Sequence, residues 1–149
     1  MRRLTRLVPL VTAALLLAVG RVASAGGLDD ITPGTVVIAG QAYPARIADQ
    51  PAERAQGFQD APAARIRSEL IYFRFPGPSV PVFHMHNVRA PLVIAWIGPD
   101  HRVIALTRME PGRGGYRPPA PVTAALELHP RRVAPLGVAV GVTVRAVER

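Results

Sequence analysis

Short apolar runs, each ended by proline or glycine, limit what this chain can fold into. Thr35 to Ile38, Ala42 to Ala48, Glu69 to Phe75, Val80 to Val88, Leu92 to Ile97, Arg102 to Thr107, Thr123 to Leu128 and Val142 to Val147 each have the length of a strand. β-branched and aromatic residues are frequent in them, and several alternate with the period of two that a half-buried strand requires. In the second run Tyr43, Ala45 and Ile47 oppose Pro44 and Arg46. Pro44 puts that strand at a sheet edge, because proline cannot donate to a ladder. Ala39-Gly40-Gln41, Pro76-Gly77-Pro78-Ser79 and Gly98-Pro99-Asp100-His101 read as turns, the last closing a hairpin. Glu110 to Pro121 reads as a long surface loop, and Gly26 to Pro33 as a flexible lead-in.

Helical signals are few. Asp49 or Gln50 caps a short helix that has Pro51 in its first turn, where a missing N–H costs nothing, and Gly57 at its end. Glu53 sits where it complements the helix dipole. Pro130 to Leu136 offers one more helical turn, stopped by Gly137. The pattern predicts a mostly-β domain over residues 34–149, a compact β-barrel or a two-layer β-sandwich with one or two short helices.

Residues 1–25 have the marks of a cleaved signal peptide. Arg2, Arg3 and Arg6 precede the apolar run Leu7 to Val19, and Ala23-Ser24-Ala25 gives the small-residue cleavage pattern. The run is well short of the roughly 20 apolar residues of a membrane span. Export to the periplasm or the extracellular space is expected, with no membrane span left after cleavage. Amino-terminal sequencing of the native protein should find a start near Gly26; an intact Met1 would end this reading. Removing the four leader arginines lowers the net charge from +8 to +4 over the remaining 124 of 149 residues. The positive charges are all arginine and are scattered, without the basic stripe and stacking aromatics of a nucleic-acid surface, so no nucleic-acid partner is expected. The absence of cysteine excludes disulfides, thiolate metal sites and a cysteine nucleophile.

Four blocks resemble an uncharacterised family of small, often exported proteins, domain-of-unknown-function family one-nine-two. Pro51-Ala52-Glu53-Arg54-Ala55-Gln56-Gly57-Phe58 is similar to its helix, and Leu70-Ile71-Tyr72-Phe73-Arg74-Phe75-Pro76 to its apolar strand ending in Phe-Pro. Phe83-His84-Met85-His86-Asn87-Val88-Arg89-Ala90-Pro91-Leu92 is similar to its Phe-Trp-Met-Lys-Asn-Thr-x-Ile-Pro-Leu-Asp signature. Leu126-Glu127-Leu128, Leu136-Gly137-Val138 and Gly141 match its closing stretch. The departures are His84, His86 and Val88 in place of Trp, Lys and Thr, and Val93 in place of Asp. The resemblance implies a compact β domain with a short helix, and it brings no established reaction.

Candidate chemistry is sparse. In an extended segment Phe83, Met85 and Asn87 share one face, and His84, His86 and Val88 the other. A His-x-His pair on a strand offers two imidazoles to one divalent metal, the third ligand being sought among His101, His129, Glu127 and Glu110. The competing reading is two polar residues on a solvent face. Asn87, the only asparagine, reads as a buried amide holding its loop, or as a ligand contact. Arg54 with Glu53 is a candidate for orienting an anionic ligand, against a plain surface pairing of Arg54 with an acid. Arg113 and Tyr116 lie in the Gly-rich loop, whose open backbone N–H groups suit an anion. Glu127 points away from the Leu126 and Leu128 face, so it is expected to be solvated or paired with an arginine across the sheet. Ser68 and Ser79 lie in no nucleophile elbow. These features favour non-catalytic binding of a small ligand or an envelope partner at Asn87, Arg54, Arg113 and Tyr116, with no cofactor. The alternative is a divalent-metal protein or metalloenzyme using His84 and His86.

Overall fold

The structure, a computed structural model, describes residues 26–147. The expected signal peptide, residues 1–25, lies outside the described residues. Strands β1 (Thr32–Ile38), β2 (Gln41–Ala48), β3 (Ile71–Ser79), β5 (Leu92–Ile97), β6 (Val103–Met109), β8 (Val122–Leu128) and β9 (Val144–Ala146) form one seven-stranded sheet in the order β6-β5-β8-β3-β2-β1-β9. Strands β4 (Phe83–His84) and β7 (Gly114–Tyr116) form a separate two-stranded ribbon. The helices α1 (Pro51–Gln56), α2 (Ala63–Ser68) and α3 (Pro130–Val133) are short.

The mostly-β expectation holds, in its sandwich-like form; the barrel form does not. The sheet curls until its ends meet at a single bridge, Arg102 to Thr143, beside hydrogen bonds from Val103 N to Val142 O and from Val144 N to His101 O. No ladder joins β6 to β9, so the sheet stays open.

Curling gives the sheet two buried faces. Val36, Ile38, Leu70, Tyr72, Ala95, Ile97, Leu126 and Val144 pack inside the curl. Ile71, Phe73, Ile94, Trp96 and Ala125 pack on the other side, under Phe58, Ile66, Met85 and Val88. Antiparallel strands usually have one wet face and alternate accordingly. Here β5 and β8 are covered on both sides, which is why Leu92–Ile97 and Val122–Leu128 read as nearly unbroken apolar runs. Trp96 is fully buried, and its indole N–H donates to Thr107 Oγ1 at 2.9 Å.

Several local expectations change. The lead-in is packed rather than flexible: Leu28–Asp30 form one turn of 3-10 helix, and Leu28 and Ile31 are buried. Asp29 bridges Arg46 and Arg65, which both also bind Glu69, tying this turn to β2 and α2. Pro76 to Ser79 continues β3 instead of turning, with an irregular register against β8 between Arg74 and Ser79. α2 is a helix that the sequence pattern does not predict; its one buried side chain is Ile66. β2 is an interior strand, yet β3 covers it only from Arg46 to Ala48, so Pro44 keeps β1 as its sole strand neighbour.

The segment around Met85 is extended for less of its length than expected. Only Phe83 and His84 form a strand; a turn at His86 and Asn87 then reverses the chain. Phe83 and Met85 do point inward and His84 and His86 outward. Past the turn the alternation inverts, so that Val88 is buried and Asn87 exposed.

Candidate functional site

A cleft of about 330 Å³ opens between the end of α1, the outer face of β3 and the segment leading into β4. Its apolar walls come from Phe58, Phe73, Phe75, Phe83 and Val88, and Val82, half exposed, stands at its edge. Phe83 organises these rings. It meets Phe73 edge-on with centroids 5.0 Å apart, Trp96 at 5.4 Å and Phe75 at 6.4 Å. Edge-to-face pairs of this spacing hold one another in fixed orientation, which gives a rigid wall.

Glu127 also lines this cleft. On β8 it stands opposite Ile71 of β3 and Ile94 of β5, and only 4% of its surface is exposed. Among the described residues no group donates a hydrogen bond to its carboxyl and no cation pairs with it. Burial alone acts on its ionisation and pushes its pKa from 4.5 up to about 8. At neutral pH Glu127 is therefore an uncharged acid that can both donate and accept a hydrogen bond.

The expectation of a solvated or arginine-paired Glu127 is overturned. Alternation does place it away from Leu126 and Leu128, but that second face is buried too. The signal was a lone carboxylate inside the otherwise apolar run Val122–Leu128.

Gly57 keeps the cleft open above this acid. It ends α1 at φ 48° and ψ −141°, a conformation costly for any residue with a side chain. A Cβ on Gly57 would lie 3.7 Å from Phe73 Cζ and 3.8 Å from Glu127 Oε2. The helix terminator expected from the sequence thus also spaces the cleft.

Of the expected ligand contacts, Arg54 alone reaches the cleft. It does not pair with a surface acid: its guanidinium donates to the carbonyls of Asp49 and Arg74 and braces α1 against β3. Glu53 turns inward, where Thr32, Asp49 and Gln50 hold its carboxylate. Asn87 is not a buried amide. It is exposed in the left-handed conformation, φ 57°, and its backbone carbonyl receives the N–H of Asp60 at 2.9 Å. Arg113 is exposed beside β7, and its carbonyl accepts from Met85 N. The Tyr116 hydroxyl accepts from Glu110 N at 3.0 Å and closes its own loop.

His84 and His86 do come together, as the His-x-His spacing predicts. Their rings stack with centroids 4.6 Å apart and planes 25° from parallel, and both side chains are exposed. His84 lines the cleft, with Gly114 of β7 closely packed against its Cβ. No third ligand joins them: among the described residues, no group of three or more histidine, cysteine, aspartate or glutamate side chains is placed to hold a metal ion.

A curled, mostly antiparallel sheet with one parallel pair, β2 with β3, and an aromatic cleft over a buried acid defines a class of small β domains. Two solved structures share the fold. One, a protein of unknown function from Novosphingobium aromaticivorans, is 28% identical, with a TM-score of 0.63 over 77% of this chain and 84% of that one. The other, described as a proposed transcription regulator from Sinorhizobium meliloti, is 21% identical, with a TM-score of 0.66 over 78% of this chain and 95% of that one. No curated protein matches the chain. The profile of the DUF192 family, described as "Uncharacterized ACR", matches residues 34–146, and the chain belongs to this family, as the four sequence blocks implied.

Proposed function

We propose that this protein is an exported, non-catalytic module that binds a small organic ligand in the cleft over Glu127. The observation that carries this reading is a buried carboxyl, free of partners among the described residues, beneath a wall of phenylalanine rings. Ligand sites are mostly apolar concavities with a few well-placed polar groups that fix orientation. Buried side-chain acids are ordinarily hydrogen-bonded, so a free one facing a cleft is a group kept for a guest. The arginine-led apolar leader supports the export half, which amino-terminal sequencing tests. Among the described residues no helix is long and apolar enough to cross a membrane.

Trp96, the only tryptophan, touches Phe83 and so reports on the cleft wall. Benzyl alcohol, benzoate and benzylamine serve as probes small enough for the space. At least one should change Trp96 fluorescence saturably and shift the backbone amide resonances of Arg54 to Gln59 and Val82 to His84. If none of the three perturbs those amides at millimolar concentration, the cleft is not a ligand site.

A further inference from the structure

We infer that the ligand is an organic cation, an ammonium or amidinium carried on an apolar body, which pairs with Glu127 at the floor of the cleft. This rests on the ligand-binding reading of the same cleft and names its chemistry.

Among the described residues Glu127 lacks a counter-charge. Buried carboxylates in folded proteins are paired or hydrogen-bonded, since burying a lone charge is costly. Around Glu127 the neighbours across the sheet are Ile71 and Ile94, and the nearest turn of α1 offers Gly57. The two cationic or titratable side chains that share its cleft are Arg54 and His84. Arg54 directs its Nη1 to the carbonyls of Asp49 and Arg74, and among the described residues it forms no ion pair with Glu127. His84 faces solvent and its Nδ1 accepts from His86 N at 3.3 Å. Neither contributes to the ionisation of Glu127, which burial alone governs. The protein therefore builds the anionic half of an ion pair and leaves the cationic half to the ligand.

The cleft wall also favours a cation. Phe73, Phe75 and Phe83 line the same space as the acid. Aromatic rings attract cations through their negative faces, most strongly where water is excluded. A carboxylate guest beside Glu127 would face a second acid, and no cation acts on that acid's ionisation. The volume of about 330 Å³ suits a guest of one ring or a short chain.

Binding has a proton balance. Below pH 8 the free protein holds Glu127 as the acid, and an ammonium guest stabilises its carboxylate, so one proton leaves to solvent for each ammonium bound. Affinity for a guest that stays protonated should rise as pH increases toward 8.

The test compares benzylamine with its neutral isostere benzyl alcohol and with benzoate, by calorimetry at pH 7 in two buffers of different ionisation enthalpy. Benzylamine should bind at least tenfold tighter than benzyl alcohol, and the buffer dependence should show net proton release. In Glu127→Gln, which keeps shape and removes the charge, benzylamine should fall to the affinity of benzyl alcohol, while benzyl alcohol itself changes less than threefold. Benzyl alcohol or benzoate binding as tightly as benzylamine to the wild-type protein overturns the cation assignment and leaves the cleft a ligand site. Equal benzylamine affinity in wild type and Glu127→Gln also overturns it. Failure of all three probes removes the ligand-binding reading itself.

Discussion

Glu127→Gln raises stability at alkaline pH, by on the order of 3–5 kcal/mol at pH 9, with the gain shrinking below about 1 kcal/mol at pH 5. The wild-type carboxyl is moved by burial from 4.5 to about 8 in the folded chain, while the unfolded chain keeps an ordinary glutamate. Between these values the folded state binds more protons than the unfolded state. Wild-type stability therefore falls as pH rises from about 4.5 to about 8, and the loss is complete above 8. Each tenfold change in proton affinity is worth about 1.4 kcal/mol, and water entering the cleft trims the full amount. Glutamine occupies nearly the same volume and cannot ionise, so its stability lacks this slope.

The comparison isolates Glu127 because other titrating groups are common to both proteins. His129, two residues on, is pushed down by burial and by the charges of Arg131, Arg67 and Arg108. A histidine held below its ordinary value destabilises the fold as pH drops through 6.5, the opposite sense to Glu127. Urea titrations at pH 5, 7 and 9 on both proteins give the difference directly. Parallel wild-type and variant profiles would show that Glu127 ionises in the fold as an ordinary surface acid.

What the sequence makes legible here depends on how many faces of a strand are buried. β5 is read to the residue, because Leu92 to Ile97 is bounded by Pro91 and Gly98. α1 is legible from Pro51, Glu53 and Gly57, whose roles are local. α2 is not, since Ala63 to Ser68 carries one buried apolar residue and lacks an N-terminal capping side chain, with Pro62 at that position. Its place comes from tertiary contacts, Ile66 in the core and Arg65 on Asp29. The turn at Asn87 escaped for a related reason: nothing in Phe83 to Val88 breaks an extended pattern except an asparagine, which tolerates positive φ.

The candidate site was half legible. Alternation placed Phe83 and Met85 inward and joined His84 with His86. It also set Glu127 apart from Leu126 and Leu128. Whether the face opposite those leucines is wet cannot be read from alternation, because it depends on α1 and β4 folding over the sheet. The cleft is assembled from residues far apart in sequence, Arg54 to Gln59 with Phe73, Phe83 and Glu127. Only topology brings them together. The loop residues Arg113 and Tyr116, though chemically suggestive, complete a ribbon instead.

Glu53→Ala should cost about 3 kcal/mol, the other large effect, and through a mechanism opposite to that of Glu127. Both carboxyls are nearly hidden, at 9% and 4% exposure, yet Glu53 is surrounded by donors. Its Oε1 accepts from Thr32 N at 3.0 Å and from the Thr32 hydroxyl at 2.6 Å; its Oε2 accepts from Asp49 N and Gln50 N, each at 3.1 Å. Burial alone would raise its pKa, but the hydrogen bonds from Thr32, Gln50 and Asp49 outweigh it and hold the carboxyl below 4.5. One side chain thus caps the start of α1 and pins it to the first residue of β1. Alanine strands three backbone donors near the core, at about 1–3 kcal/mol for each that water cannot reach. Glutamine retains one acceptor oxygen and should lose roughly half as much. Because the folded carboxyl is the stronger acid, its contribution is present above about pH 4.5 and fades as pH falls through its lowered value. Thermal melts of wild type, Glu53→Gln and Glu53→Ala at pH 7 and pH 3 check the prediction: the gap between wild type and Glu53→Gln should be wide at pH 7 and narrow at pH 3. A gap that stays constant across that range would mean that the charge of Glu53 contributes nothing and that packing alone holds the helix to the strand.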